Sequence, residues 1–254
     1  MTLAFEATMP LPVEPLSQEA ADNILDDLLT AAEEMPVLIA FLSAETPERR
    51  LILSALTFSP FLRDIAVAHP ECLETMLRTP PQDLLDTLVE DARHAWKEGA
   101  GQAELMSTLR RLKRQLAFSL AIYDLGRILE TSIITAWLSA FARVCVSSTV
   151  DHLLLSAHQE GTLELADTDA PSHGSGLAVI GMGKLGSSEL NYSSDIDLIV
   201  VFDPDAGIVK DREQPSDVFS RMVRQMIHIL QERTRDGYVF RTDLRLRPDP
   251  GSTP

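Results

Sequence analysis

Residues 177–203, LAVIGMGKLGSSELNYSSDIDLIVVFD, constrain the fold more than any other stretch of the chain. Two short apolar runs, LAVIG and IDLIVVF, have β character, and the second predicts a buried strand. Between them stand Gly183, Gly186 and the helix-breaking run Asn191, Tyr192, Ser193, Ser194. The second run opens on Asp195 and Asp197, which flank Ile196. On a strand, residues i and i+2 point to one face. Both carboxylates therefore project together, while Ile196 and Leu198 point into the core. Like charges that close repel each other and are costly unless a cation lies between them.

Magnesium suits that role, with manganese as the alternative. It takes oxygen ligands, keeps several waters, and binds through one or two carboxylates plus substrate phosphates. A two-metal site of this kind stabilises both the attacking and the leaving oxygen of a phosphoryl-group transfer. The preceding turn fits the same chemistry. Around Gly186, Ser187 and Ser188 the backbone can approach phosphate, with N–H and hydroxyl groups as donors, and Lys184 adds positive charge. A third acid, Asp243, lies in the run YVFRTDLRLRP, which alternates like a strand closed by Pro248. Arg241 and Arg245 share its face at i±2. That trio suits a third metal ligand beside phosphate-binding cations, or a plain ion-pair ladder. A lone DxD is more often a turn, a helix cap or a solvated strand end. The Gly-Ser turn before it and LIVVF after it favour the catalytic reading. A competing reading is dinucleotide binding, because Gly181, Gly183 and Gly186 spell GxGxxG after a strand, with Asp203 as the ribose-binding acid.

The rest of the chain reads as helices. Residues 1–16 are Pro-rich and aperiodic, and suggest a flexible tail. Ser17 is a candidate N-cap for a helix with Ile24 and Leu28 on one face. Pro36, Pro47, Pro60, Pro70 and Pro80 recur through the next segment, and each predicts a helix boundary. Leu105, Leu109, Leu112, Leu116, Leu120 and Tyr123 form a clean amphipathic stripe. Arg110, Arg111, Lys113 and Arg114 occupy its other faces, as a solvated surface or as a contact for phosphate or an acidic partner. The apolar stretch Ile133–Val146 is interrupted by Thr135, Ser139 and Arg143 and is too short to span a bilayer. Residues 161–176 suggest a linker and 204–216 a loop, with a helix over 217–235 carrying Val218, Met222, Gln225, Met226 and Ile229 on one face. The expected organisation is a tail (1–16), a helical region (17–160), a linker (161–176) and a catalytic core (177–254). The fold class is α+β, helices followed by a β–turn–β–α–β unit.

A net charge of -16 argues against nucleic-acid binding and against docking on anionic membranes. Cys72 and Cys145 form neither a metal-ligand spacing nor a disulfide framework, which suggests a reducing, cytoplasmic compartment. The histidines are scattered, and no Ser–His or Cys–His arrangement is evident.

A glycine–serine turn, a DxD opening a strand and a later strand acid resemble the polymerase-β-like nucleotidyltransferases. GMGKLGSSELNYSSDIDLIVVFD followed by FRTDLRLRPDPGS more closely resembles the glutamine synthetase adenylyltransferase family, and ELN before SDIDLI looks like its N-terminal, adenylyl-removing copy. SPFLRDIAVAHPECLETML and LRRLKRQLAFSLAIYDLGR are similar to that copy's helical lead-in, so the resemblance covers about residues 40–250. It implies a small mixed sheet with helices, incomplete at the C-terminus. It implies Asp195, Asp197 and Asp243 as metal ligands, and Gly186 and Ser187 as the phosphate turn, although the family usually has a second glycine at Ser187. The implied reaction is phosphorolysis of adenylyl-tyrosine on glutamine synthetase to free tyrosine and ADP. The family's other catalytic domain adds AMP from ATP, and a PII-type regulatory protein is a further implied partner. Two alternatives stand beside it: a non-catalytic fragment that binds glutamine synthetase or a regulatory partner, and a nucleotidyltransferase with another substrate.

Overall fold

The computed structural model describes residues 14–97, 101–210 and 214–245. The chain is α+β, mostly helical with one small mixed sheet. It divides into two compact units. One holds the residues up to Leu88 with Arg114–Ile134; the other holds Val89–Lys113 and everything from Thr135 onward.

The first unit is built from short helices, and its prolines explain why. Helices α2 (Pro36–Ser43), α3 (Pro47–Phe58) and α4 (Pro60–Ala68) each begin on a proline, where the missing N–H has no partner to lose. Pro70 stands at the N-cap of α5 (Glu71–Arg78), and Pro80 immediately precedes α6 (Pro81–His94). Ser17, Thr46 and Ser59 cap α1 (Gln18–Ala31), α3 and α4 by accepting from Ala20 N, Arg49 N and Leu62 N. At the end of the expected tail, Glu14 O accepts from Ser54 and Leu16 N donates to Thr57; residues 1–13 lie outside the described residues. Helix α2 has Met35 at its N-cap and no side-chain cap of its own. The cap comes from α5 instead: the buried Glu74 carboxylate accepts from Leu38 N at 2.5 Å and pairs with Arg78 at 2.6 Å.

Helices α7 (Gln102–Leu125) and α8 (Thr131–Gln159) contribute residues to both units. The stripe from Leu105 to Tyr123 is buried throughout, as its spacing predicts. Helix α8 runs further than the apolar stretch Ile133–Val146. Thr149 bonds back to Cys145 O and Ser139 to Thr135 O, so these polar residues satisfy themselves along the helix and do not end it. By length and composition α8 could cross a membrane, but it is a core helix here: Leu138, Phe141, Ala142, Cys145 and Leu154 are fully enclosed.

The second unit carries the sheet. Strands β1 (Leu177–Gly181) and β2 (Ile196–Phe202) pair antiparallel, with Gly181 opposite Leu198 and Leu177 opposite Phe202. Helix α9 is the single turn Gly183–Gly186 between them, and α10 (Pro215–Gln231) leads to β3 (Thr242–Asp243), which pairs parallel to β2. Two expectations need correction here. The run from Tyr238 onward is a strand only at Thr242–Asp243, because Val239 N and Phe240 N turn back to Leu230 O and leave the ladder; Pro248 lies outside the described residues. Helix α10 stops at Gln231, and Gln225 faces outward while Val218, Met222, Met226 and Ile229 are buried. The 161–176 segment has no regular element but is tied down: Glu164 N donates to Ile208 O, and Asp151 on α8 accepts from Ser172.

Glu74→Ala removes the only side-chain acceptor at the start of α2 and leaves the Leu38 amide enclosed. The expected cost is about 1–2 kcal/mol, read as a lower urea midpoint with an unchanged m-value.

Candidate active site

The two aspartates sit where β2 begins, and both neighbouring strands hold that point. On one side Met182 N donates to Asp197 O at 2.8 Å; on the other Ile196 N donates to Arg241 O at 2.9 Å. Ile196 and Leu198 are buried, while Asp195 is exposed and Asp197 half-exposed, which matches the alternation of a strand covered on one face. Asp197 and Asp243 are register partners across the parallel ladder. Adjacent strands lie roughly 4.8 Å apart, so these two residues are neighbours across the ladder.

Gly183 lies directly against the pair. Its φ is +51°, and a Cβ there would come within 2.7 Å of Asp197 Oδ2. A side chain at this position would both strain the backbone and push the carboxylate away. Gly186 makes a second close approach, with a Cβ position 2.8 Å from Gly181 O. Glycine at 183 and 186 is therefore needed to fold the turn tightly over the start of β2.

The turn's polar groups are partly committed to the fold. Ser187 Oγ bonds Gly183 O at 3.2 Å and Glu189 Oε2 at 3.1 Å. Ser188 takes a left-handed φ of +64° and bonds Arg143 at 2.5 Å. Lys184 is exposed at the tip. Arg143 also donates to Leu185 O at 3.0 Å, and Ser139, one turn earlier on α8, accepts from Leu190 N at 3.0 Å. The sequence shows Arg143 and Ser139 only as interruptions of an apolar stretch. Nothing in their spacing points to the distant turn that they brace. A cavity of about 350 Å³, lined by Arg143, Ser147, Val179, Gly181 and Leu198, opens on the opposite face of β2 from Asp197, and no carboxylate lines it.

Cations already pair with two of the three acids. Arg241 Nε donates to Asp195 at 2.5 Å and Nη2 to Ser193 O at 2.7 Å, while its guanidinium stacks 5.8 Å from the Tyr238 ring centre. Arg245 grips Asp243 through Nε at 2.9 Å and Nη2 at 2.6 Å. That grip pulls the Asp243 carboxyl down to about 2 from its ordinary 3.8. Asp243 raises the Arg245 pKa in turn, and the charges of Asp195 and Asp197 add to it. Arg245 thus feels all three carboxylates at once. Among the described residues, no group of three or more His, Cys, Asp or Glu side chains stands ready to hold a metal ion. The expected three-ligand set is therefore not assembled here: Asp197 and Asp243 pair in register, while Asp195 is held by Arg241 and Asp243 by Arg245. As donors the set suits magnesium or manganese, being all carboxylate oxygen, with two members in register on adjacent strands.

The dinucleotide reading fails on two counts. Its fingerprint needs a helix opening at the third glycine, but α9 ends at Gly186; it needs parallel strands, but β1 and β2 are antiparallel. Asp203 accepts from Asp205 N in a loop turn.

Residues 50–254 match the family model described as glutamate-ammonia ligase adenylyltransferase. A "bifunctional glutamine synthetase adenylyltransferase/adenylyl-removing enzyme" of Rhizobium meliloti is 48% identical over 95% of this chain and 25% of its own length. The protein of the same name from Agrobacterium fabrum is 48% identical over 96% of the chain and 25% of its length. That of Bartonella quintana is 40% identical over 100% and 26%. The chain belongs to the glutamate-ammonia ligase adenylyltransferase family, and it spans about a quarter of the length of these relatives.

Two measurements probe the geometry. Arg245→Met is expected to return the Asp243 titration midpoint from about 2 toward 3.8, followed by carboxyl-carbon NMR. Because the folded value is the depressed one, this pair stabilises the fold above pH 3.8 and its contribution disappears as the pH falls through 2. Gly183→Ala should cost roughly 1–2 kcal/mol of stability from the left-handed backbone alone, measured by urea denaturation.

Proposed function

We propose that the chain is the adenylyl-removing part of a glutamine synthetase adenylyltransferase. Its reaction would be phosphorolysis of adenylyl-tyrosine on glutamine synthetase, with magnesium or manganese, releasing free tyrosine and ADP. The observation that carries the proposal is the pairing of Asp197 with Asp243 in register on adjacent strands, with Gly183 close-packed against Asp197. We read the small mixed sheet as the opening of a polymerase-β-like core.

Asp195, Asp197 and Asp243 would hold the metal. The bound ion supplies charge stabilisation for the attacking and leaving oxygens. The remaining work falls to positioning and charge, which dominate phosphoryl-type transfer, and no side-chain nucleophile is required. A phosphate oxygen attacks the AMP phosphorus in line, the tyrosine phenolate leaves, and it then takes up a proton. Lys184 at the turn's tip is free to meet phosphate. Arg241 now gives Asp195 one bond and Arg245 grips Asp243 through two, and an incoming phosphate competes for both guanidinium groups. Exchange of partners would release Asp195 and Asp243 toward the cation. The N–H groups and hydroxyls around Gly186, Ser187 and Ser188 complete the anion cradle. The buried thiols Cys72 and Cys145 accord with a reducing, cytoplasmic setting.

The test is incubation with adenylylated glutamine synthetase, phosphate and magnesium. ADP should appear, and Asp197→Asn should slow its formation on the order of 10³-fold. A wild-type chain that binds the synthetase but forms no ADP would instead support a non-catalytic binding fragment.

A further inference from the structure

Strand β3 is two residues long. A strand so short makes too few ladder bonds to choose its own register, and a slip of one residue would turn Asp243 to the other face of the sheet. The connection that delivers it, from Glu232 to Arg241, has no regular element beyond the Thr234–Gly237 bridge. Its placement must come from outside the ladder.

Part of it comes from the end of α10, where Leu230 O takes Val239 N and Phe240 N and Gln231 takes Thr242 N; helix α7 provides the rest. Arg110 is enclosed and spends its whole guanidinium on backbone carbonyls: Nε on Gly237 O at 2.9 Å, Nη2 on Glu232 O at 2.5 Å and Nη1 on Met106 O at 2.8 Å. One turn further, Lys113 Nζ donates to Val239 O at 3.2 Å and lies 3.8 Å from the Phe240 ring centre. Phe240 in turn packs on Phe141 of α8, with ring centres 6.4 Å apart. Burial lowers the Lys113 ammonium from its ordinary 10.5 to about 8. Arg110 and Lys113 are therefore neither a solvated face nor a phosphate contact. Of the basic cluster, Arg111 is exposed, and Arg114 belongs to the other unit, where it meets His69 at 2.6 Å.

We propose that Arg110 and Lys113 are positioning residues for the third acid: they clamp the loop from Glu232 to Val239 so that β3 enters the ladder with Asp243 opposite Asp197. The catalytic consequence rests on the metal-dependent reading above; the positioning itself does not. Three carbonyls fixed by two side chains on one rigid helix leave Phe240 and Arg241 little freedom before the ladder bond from Ile196 N to Arg241 O. Removing a clamp would loosen that bond first.

The experiment uses the chain itself with Lys113→Met, which keeps the stem over Phe240 and removes the donor, and Lys113→Arg, which restores one. Amide hydrogen exchange is read at Ile196, on the β3 side, and at Met182, which bonds Asp197 O from β1. Lys113→Met should speed exchange at Ile196 about tenfold or more and leave Met182 unchanged; Lys113→Arg should exchange like the wild type. Manganese affinity, read by electron paramagnetic resonance, should fall about tenfold in Lys113→Met. It should fall no further when Lys113→Met is added to Asp243→Asn, because the clamp acts through that carboxylate. Arg110→Lys supplies a second variant if Lys113→Met does not fold, with the same expectations. Unchanged exchange at Ile196, or an equal loss of manganese affinity in the Asp243→Asn background, overturns the proposal. A wild-type chain that binds no manganese would defeat the metal reading, while exchange at Ile196 would still decide the clamp.

Discussion

Strand β2 is hydrogen-bonded on both sides at the very residues that carry the acids. Met182 N reaches Asp197 O from the β1 side, and Arg241 O receives Ile196 N from the β3 side. Every other feature of the site depends on this double attachment. A carboxylate at the fraying end of an edge strand would sample many positions. Here the backbone beneath Asp197 is fixed from both flanks, and Gly183, lacking a Cβ, leaves room for its carboxylate. Buried Ile196 and Leu198 hold the opposite face against the core.

Charge is the second constraint. Three carboxylates stand at one sheet end in a chain of net charge -16. Arg241 and Arg245 keep that arrangement tolerable, and the low Asp243 pKa records how closely the second is bound. These pairs are exposed, so they can be exchanged for other partners at small cost. Arg110 and Lys113 differ in this respect. Arg110 is buried and Lys113 half-buried, and both are spent on backbone carbonyls of one loop, so replacing them would leave part-buried acceptors unpaired. Basic residues that look equivalent in the sequence thus divide into exchangeable and structural groups by burial alone.

Much of the architecture is legible from the residues. Prolines mark the starts of α2 to α4, because that residue fits a first helical turn and little else. The stripe Leu105 to Tyr123 declares α7 because only one helical face can bury it. The i, i+2 spacing of Asp195 and Asp197 expresses a strand that starts between a turn and an apolar run. The length of β3 was not legible. Alternation in YVFRTDLRLRP satisfies a strand's pattern, but whether its amides find a ladder depends on Leu230 O, which captures two of them. Arg143 and Ser139 were equally hidden, since their partners lie more than forty residues away.

The sequence by itself determined the α+β class, most of the helix starts, the pair of strands around a glycine turn, and the family. These rest on local propensity and periodicity, which each segment carries with it. Only the tertiary structure decided that β1 and β2 run antiparallel, that Asp243 stands beside Asp197, and that α7 and α8 brace the loops on either side of β2. Those outcomes depend on which distant groups fill the hydrogen-bond vacancies that a short segment leaves open. No single stretch of residues contains both the vacancy and the group that fills it.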